Sequence, residues 1–174
     1  MGIIGHNGAG KTTTLKMIVG LVSPTSGEVR VMGRDMTNDG AYVKQFIGFL
    51  PEQSSLYEKM TVTEYLFFFA ELYGVPRSTA RRRMVDLLDS LDLHRLDQRT
   101  GELSKGMRRK VAIARALLHD PRVLIFDEPN AGLDPLTSFC IIDYLKGLKE
   151  KGKTLLLNAH NLFHIEGVCD HVAS

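Results

Sequence analysis

The segment Gly5-His6-Asn7-Gly8-Ala9-Gly10-Lys11-Thr12 fits the spacing G-x-x-x-x-G-K-[ST]. Residues of these types at this spacing suit the binding of phosphate groups. Glycine backbones wrap closely, so successive N–H groups turn inward towards phosphate oxygens. A helix opening at Lys11 adds about half a positive charge at its N-terminus. Lys11 itself supplies a point charge for the β- and γ-phosphates, and the Thr12 hydroxyl is a ligand for Mg²⁺. Thr13 continues the run of helix-opening amides.

A second group stands at Val123-Leu124-Ile125-Phe126-Asp127-Glu128. Four apolar residues read as a buried strand, and two carboxylates follow at its C-terminal end. In open α/β sheets, ligands bind at those strand ends. Asp127 is placed to hold Mg²⁺, directly or through water. Glu128 is placed to orient and deprotonate an attacking water.

Both groups need a sheet to position them. Apolar strands alternate with helical patterns, which predicts an α/β fold with a parallel sheet. Ile3-Ile4 reads as a strand end and Lys11 to Val22 as a helix, with Leu15, Ile18, Val19 and Val22 on one face. Pro24 to Gly27 reads as a turn, Glu28 to Met32 as a short strand, and Ile47 to Leu50 as a strand stopped by Pro51. From Thr61 to about Leu118 the pattern is mostly helical. Thr61 and Glu64 have capping-box spacing, Arg77 to Leu91 carries Met84, Leu87, Leu88 and Leu91 on one face, and Ser104 opens a third helix. The sheet resumes at Val123 to Phe126 and at Thr154 to Leu157, joined by a helix over Leu136 to Lys149 in a right-handed crossover. Met17, Met84, Met107 and the Phe67-Phe68-Phe69 cluster read as core or subdomain surface.

Composition narrows the function classes. The 174 residues are 44% hydrophobic and 24% charged, which excludes a disordered or fibrous chain. A net charge of +2 gives no reason to expect nucleic acid as a partner. The basic runs Arg81-Arg82-Arg83 and Arg108-Arg109-Lys110 read as solvated helix faces. Two cysteines, Cys140 and Cys169, form no metal or disulfide pattern and fit a reducing compartment. The most apolar run, Tyr65 to Ala70, is far short of the roughly 18–20 residues needed to cross a bilayer. There is no signal peptide pattern, and the chain reads as truncated at both ends.

These segments, with three more, resemble the ATP-binding subunit of an ABC transporter. Gln53 follows Pro51-Glu52 as the family's Q-loop glutamine does. Leu103-Ser104-Lys105-Gly106-Met107 stands where the signature LSGGQ does, Asn130-Ala131-Gly132-Leu133-Asp134 resembles the D-loop, and His160 after Leu155-Leu156-Leu157-Asn158-Ala159 resembles the switch histidine. All occur in family order from Gly5 to His160.

The resemblance implies a P-loop NTPase of ABC-ATPase type. Residues 1–52 and 119–174 would form the RecA-like ATP-binding core, and residues 53–118 an inserted helical signature subdomain. It implies ATP and Mg²⁺ as cofactors, with Gly5 to Thr13 on the phosphates and Thr12, Gln53 and Asp127 on the metal. Glu128, Gln53 and His160 would be the catalytic residues. It implies that Ser104 and the amides of Gly106 and Met107 cap the γ-phosphate bound by a second subunit, homo- or heterodimeric. Asp134 would order that interface, besides reading as a helix cap before Pro135. Membrane-spanning subunits, contacted through Ser54 to Phe69, would turn hydrolysis into transport, placing the chain on the cytoplasmic face of the membrane. Lys105 and Met107 depart from the usual glycine and glutamine, and LSKGM forms resemble export-type members. The family's adenine-stacking aromatic lies in strands upstream of the phosphate loop, so the chain as given is expected to bind nucleotide weakly.

Other readings are a soluble ABC-type ATPase of DNA repair or translation, or a truncated module that binds partners without turnover. Only roughly 90 residues separate Lys11 from Ser104, without the sustained heptads of the coiled coil that repair members insert. A GTPase is disfavoured because no NKxD motif is present.

Overall fold

Strand-forming apolar runs and helical periods alternate along the chain, and the computed structural model describes residues 1–6, 8–159 and 168–173. The order is β1 (Gly2–Ile3), α1 (Lys11–Ile18), β2 (Arg30–Val31), β3 (Arg34–Asp35), α2 (Gly40–Lys44), β4 (Ile47–Leu50), α3 (Val62–Leu72), α4 (Arg77–Ser90), α5 (Lys105–Leu117), β5 (Val123–Asp127), α6 (Pro135–Glu150), β6 (Thr154–Asn158) and β7 (Val172–Ala173).

Among the described residues, five strands form one sheet in the order β4-β5-β6-β1-β7, and each of these pairings is parallel. Asp127 of β5 and Ile3 of β1 both stand opposite Asn158 of β6. At the usual strand spacing, this row puts Ile3 roughly 10 Å from Asp127. The chain leaves β1 for the glycine-rich loop, so loop and carboxylates share one edge of the sheet.

Two apolar clusters cover the sheet. Leu15 and Val19 pack with Val31, Met36, Val43, Ile47 and Ile125 in one of them. The larger cluster joins Leu124 and Phe126 to α3, α4, α5 and α6 through Tyr65, Leu66, Met84, Leu88, Val111, Ile113, Ile141 and Leu145. The start of α3 follows from the sequence: Thr61 Oγ1 accepts from the Glu64 amide at 3.1 Å, and Glu64 Oε2 accepts from the Thr61 amide at 2.8 Å. Gly48 of β4 is pressed so closely on the Ala116 carbonyl of α5 that any Cβ there would collide with it. Both cysteines are free thiols. No described helix is long and apolar enough to cross a membrane.

Several boundaries differ from the sequence expectation. The first helix ends at Ile18, not Val22, because Gly20 turns left-handed at φ 67° and Leu21 and Val22 point outwards. The strand expected over Glu28 to Met32 keeps only Arg30–Val31. It turns at Met32 and Gly33, both at positive φ, as two-residue hairpins require. The run Arg108-Arg109-Lys110 is not solvated. Arg109 and Lys110 are each only 8% exposed, because backbone carbonyls satisfy their charges: Lys110 Nζ donates to the Asp92 carbonyl at 3.1 Å. Arg81 and Arg82 are exposed, whereas Arg83 leans on the Leu118 carbonyl at 3.2 Å.

Candidate active site

The loop after β1 is shaped by glycine. Gly8 and Gly10 sit at φ 83° and 86°, where a side chain would be strained. Gly10 is the N-cap of α1 and brings no side-chain oxygen, so the helix's first amides are not capped by its own chain. Lys11 is buried, and its ammonium donates to the carbonyls of Gly5 at 2.5 Å and His6 at 3.0 Å. That ties the loop around its own cation. Asn7, expected in this loop, lies outside the described residues.

Across the sheet edge, Asp127 is 1% exposed and accepts from Asn158 Nδ2 at 2.5 Å. Glu128 is 5% exposed and left-handed, with φ 49°. For a residue with a Cβ this backbone costs roughly 1–2 kcal/mol, and such strain gathers at functional positions. The Glu128 amide donates to the Asn158 carbonyl at 2.9 Å, so Asn158 holds both acidic residues. A cavity of about 440 Å³ is lined by Gly8 to Thr13, Glu52, Glu128 and Asn158. The glycine turn, Lys11, Thr12 and Glu128 therefore face one space. The Asn158 Oδ1 atom is buried without a hydrogen-bond partner among the described residues.

Comparison with known proteins identifies what this edge belongs to. The ABC transporter family model matches residues 1–131. The chain is 43% identical over 174 residues to the ABC transporter ATP-binding protein NatA of Bacillus subtilis (strain 168), covering 99% of this chain and 71% of that protein. The chain belongs to the ABC transporter family. It is also 38% identical over 172 residues to the Nod factor export ATP-binding protein I of Burkholderia orbicola (strain AU 1054), covering 98% of this chain and 57% of that one. The structure of an ATP-binding subunit of an ABC transporter superposes with a TM-score of 0.88 at 37% identity, covering 98% and 72% of the two chains. A dimeric ATP-binding cassette in a post-hydrolysis state, bound to ADP and Pi, gives 0.85 at 29%, covering 96% and 77%. Ours is thus the ATP-binding, ATP-hydrolysing part of an ABC transporter, the part that powers transport in that family.

The other ABC motifs are placed as follows. Gln53 is exposed and lines a separate cavity of about 450 Å³, with Ser54, Lys105, Arg108, Ala131 and Leu133; Glu52 lines both cavities. Ser104 caps α5 and accepts from the Met107 amide at 3.3 Å. Gly106 lies against the Thr137 side chain of α6. Asp134 caps α6, accepting from the Thr137 amide at 2.9 Å, and hydrogen bonding by the Thr137 side chain, then by its amide, holds the carboxyl below the usual range. His160 lies outside the described residues.

Three residues of this ABC site were not singled out from the sequence. Asn158 and Glu52 carry no motif of their own and are found only by strand register and loop placement. Arg109 stands in a basic run that has the pattern of a solvated face, yet it is the buried centre of a carbonyl cluster behind the site.

Proposed function

We propose that the cavity between the glycine turn and Glu128 binds ATP with Mg²⁺ and hydrolyses it to drive transport through separate membrane-spanning subunits. The observation that supports this most directly is the shared lining of one cavity by Gly8 to Thr13 and Glu128. The amides of Gly5, His6, Asn7, Gly8, Ala9 and Gly10, with those of Lys11, Thr12 and Thr13, would hold the phosphates, and the Lys11 ammonium would pair with them.

The donors proposed for Mg²⁺ are hard oxygens: the Thr12 hydroxyl on the cavity wall, the buried Asp127 carboxylate next to Glu128, and the Gln53 amide oxygen, which lines the neighbouring cavity. This set fits a small cation that keeps several waters. When bound, Mg²⁺ would offset charge on the phosphate oxygens. The Glu128 carboxylate would accept a proton from water as the water oxygen bonds to the γ-phosphorus. The bond to the β–γ bridging oxygen then breaks, releasing ADP and phosphate. His160 and Gln53 would position that water. Most of the rate would come from placement and fixed charge.

Residues 1–52 and 119–174 would act as the ATP-binding core, with residues 53–118 as the signature subdomain. Ser104, Gly106 and Met107 would face the γ-phosphate of a second ABC ATPase subunit in a head-to-tail pair. Ser54 to Phe69 would face the membrane-spanning subunits, on the cytoplasmic side. Exposed Tyr57 and Phe68 within that segment favour such docking. Export is the favoured direction, supported by the LSKGM form and by the export function in the Burkholderia relative's name. The test is Glu128→Gln in the full-length protein. ATP-dependent association should persist while phosphate release falls at least about 100-fold. Retained hydrolysis would remove Glu128 as the base.

A further inference from the structure

Behind the candidate site, one guanidinium gathers three separate stretches of chain. Arg109 projects from the second turn of α5 and is 8% exposed. Its Nε donates to the Pro129 carbonyl at 2.9 Å. Nη1 donates to the carbonyls of Pro51 at 2.8 Å and Glu52 at 2.9 Å. Nη2 donates to those of Asp127 at 2.9 Å and Glu128 at 2.6 Å. A guanidinium has five N–H groups in a rigid plane, and each of them has a carbonyl here. Among the described residues, its hydrogen bonds all go to backbone carbonyls and none to a carboxylate. Burial alone would pull its pKa down, and does so, to about 10, against the opposing fields of Asp127 and Glu52.

The acceptors are the informative part. Two precede Gln53, and three span Asp127 to Pro129, including the left-handed Glu128. The arginine's own helix opens at Ser104. We propose that Arg109 is a positioning residue that fixes the backbone of Glu128 in its strained conformation and locks it to the Gln53 loop and to the signature helix. A displacement of the Gln53 loop or of α5 then reaches Glu128 through one side chain, without contact with nucleotide. Lysine cannot take over this role, because its ammonium has three donors and no plane.

This rests on the hydrolytic reading above, so the test separates the two. In the full-length protein, hydrolysis by the unaltered chain checks the reading itself. Arg109→Lys keeps the charge and should lower kcat about 10–100-fold while KM for ATP and the stoichiometry of bound nucleotide stay within about twofold. In a Glu128→Gln background the same substitution should lower the residual rate by less than about twofold, because the group it positions is already gone. Arg109→Met should behave like Arg109→Lys or worse.

An unaltered kcat in Arg109→Lys overturns the proposal. So does a loss that multiplies fully in the Glu128→Gln background, which marks general damage. Failure of Arg109→Lys to give folded, ATP-binding protein also overturns it, since Arg109 would then be a core residue and nothing more.

Discussion

The N-termini of α1 and α5 both carry sequence patterns suited to anions, yet they are built differently. At α1 the cap is a left-handed glycine with no side-chain oxygen, and a buried lysine stands beside the first amides. At α5 the cap is Ser104, whose hydroxyl already accepts the Met107 amide. An end that its own chain does not cap offers all its donors to a phosphate. An end that is capped has one donor committed and keeps only the dipole and the remaining amides. The first is suited to holding the phosphates throughout a turnover. The second is suited to a contact that forms and releases, as the proposed pairing of subunits requires.

Three measurements would break or sharpen that contrast. The largest effect belongs to α1. Lys11→Ala should weaken ATP binding at least about 100-fold by calorimetry, because a buried charged partner of phosphate is lost. Binding within a few-fold of the unaltered chain would mean that the two ends are equivalent.

Next comes α5. Ser104→Ala removes a cap worth about 1 kcal/mol. It should leave ATP binding by a single chain within about twofold, while ATP-dependent association, followed by light scattering, falls about tenfold. Thr61→Ala, at an end with no proposed ligand, is the control. It should lower the melting temperature to a similar degree and leave association unchanged.

The smallest effect lies beyond the opposite end of α5. His119 stacks on Tyr73 and its Nε2 meets the Ile47 carbonyl at 3.0 Å. Burial lowers its pKa, with Arg83 and Lys153 acting the same way and Asp120 and the Ile47 carbonyl opposing. A base with a depressed folded pKa binds fewer protons folded than unfolded. Its stabilising contribution is therefore complete above the unfolded value of about 6.5 and is lost as pH falls towards the folded pKa. Melting curves from pH 7.5 to 5 should show the unaltered chain losing a few °C more than His119→Asn. Parallel curves would show that His119 does not titrate with unfolding.

The contrast also marks how far the sequence could be read. The glycine turn, Lys11, Thr12, Asp127 and Glu128 signal themselves because their chemistry lies in residue type and local spacing. The capping box of Thr61 and Glu64 is local in the same way and sets the start of α3. Arg109 gave no such signal. Its partners are backbone carbonyls from two distant segments, which leave no trace in residue type, so the basic run looks like a solvated face. Asn158 is visible only once β5 and β6 are in register. The short hairpin β2–β3 was missed because Met32 takes a left-handed turn position that usually goes to asparagine, aspartate or glycine.

Gly48 adds a mechanical consequence. With no side chain between them, β4 and the C-terminal part of α5 touch backbone to backbone at Ala116, and Pro121 and Leu124 close the same seam. A methyl group at position 48 would meet the Ala116 carbonyl, so Gly48→Ala must push helix and strand apart. The spacing between β4 and the helix that Ser104 opens is thus set by an absent side chain.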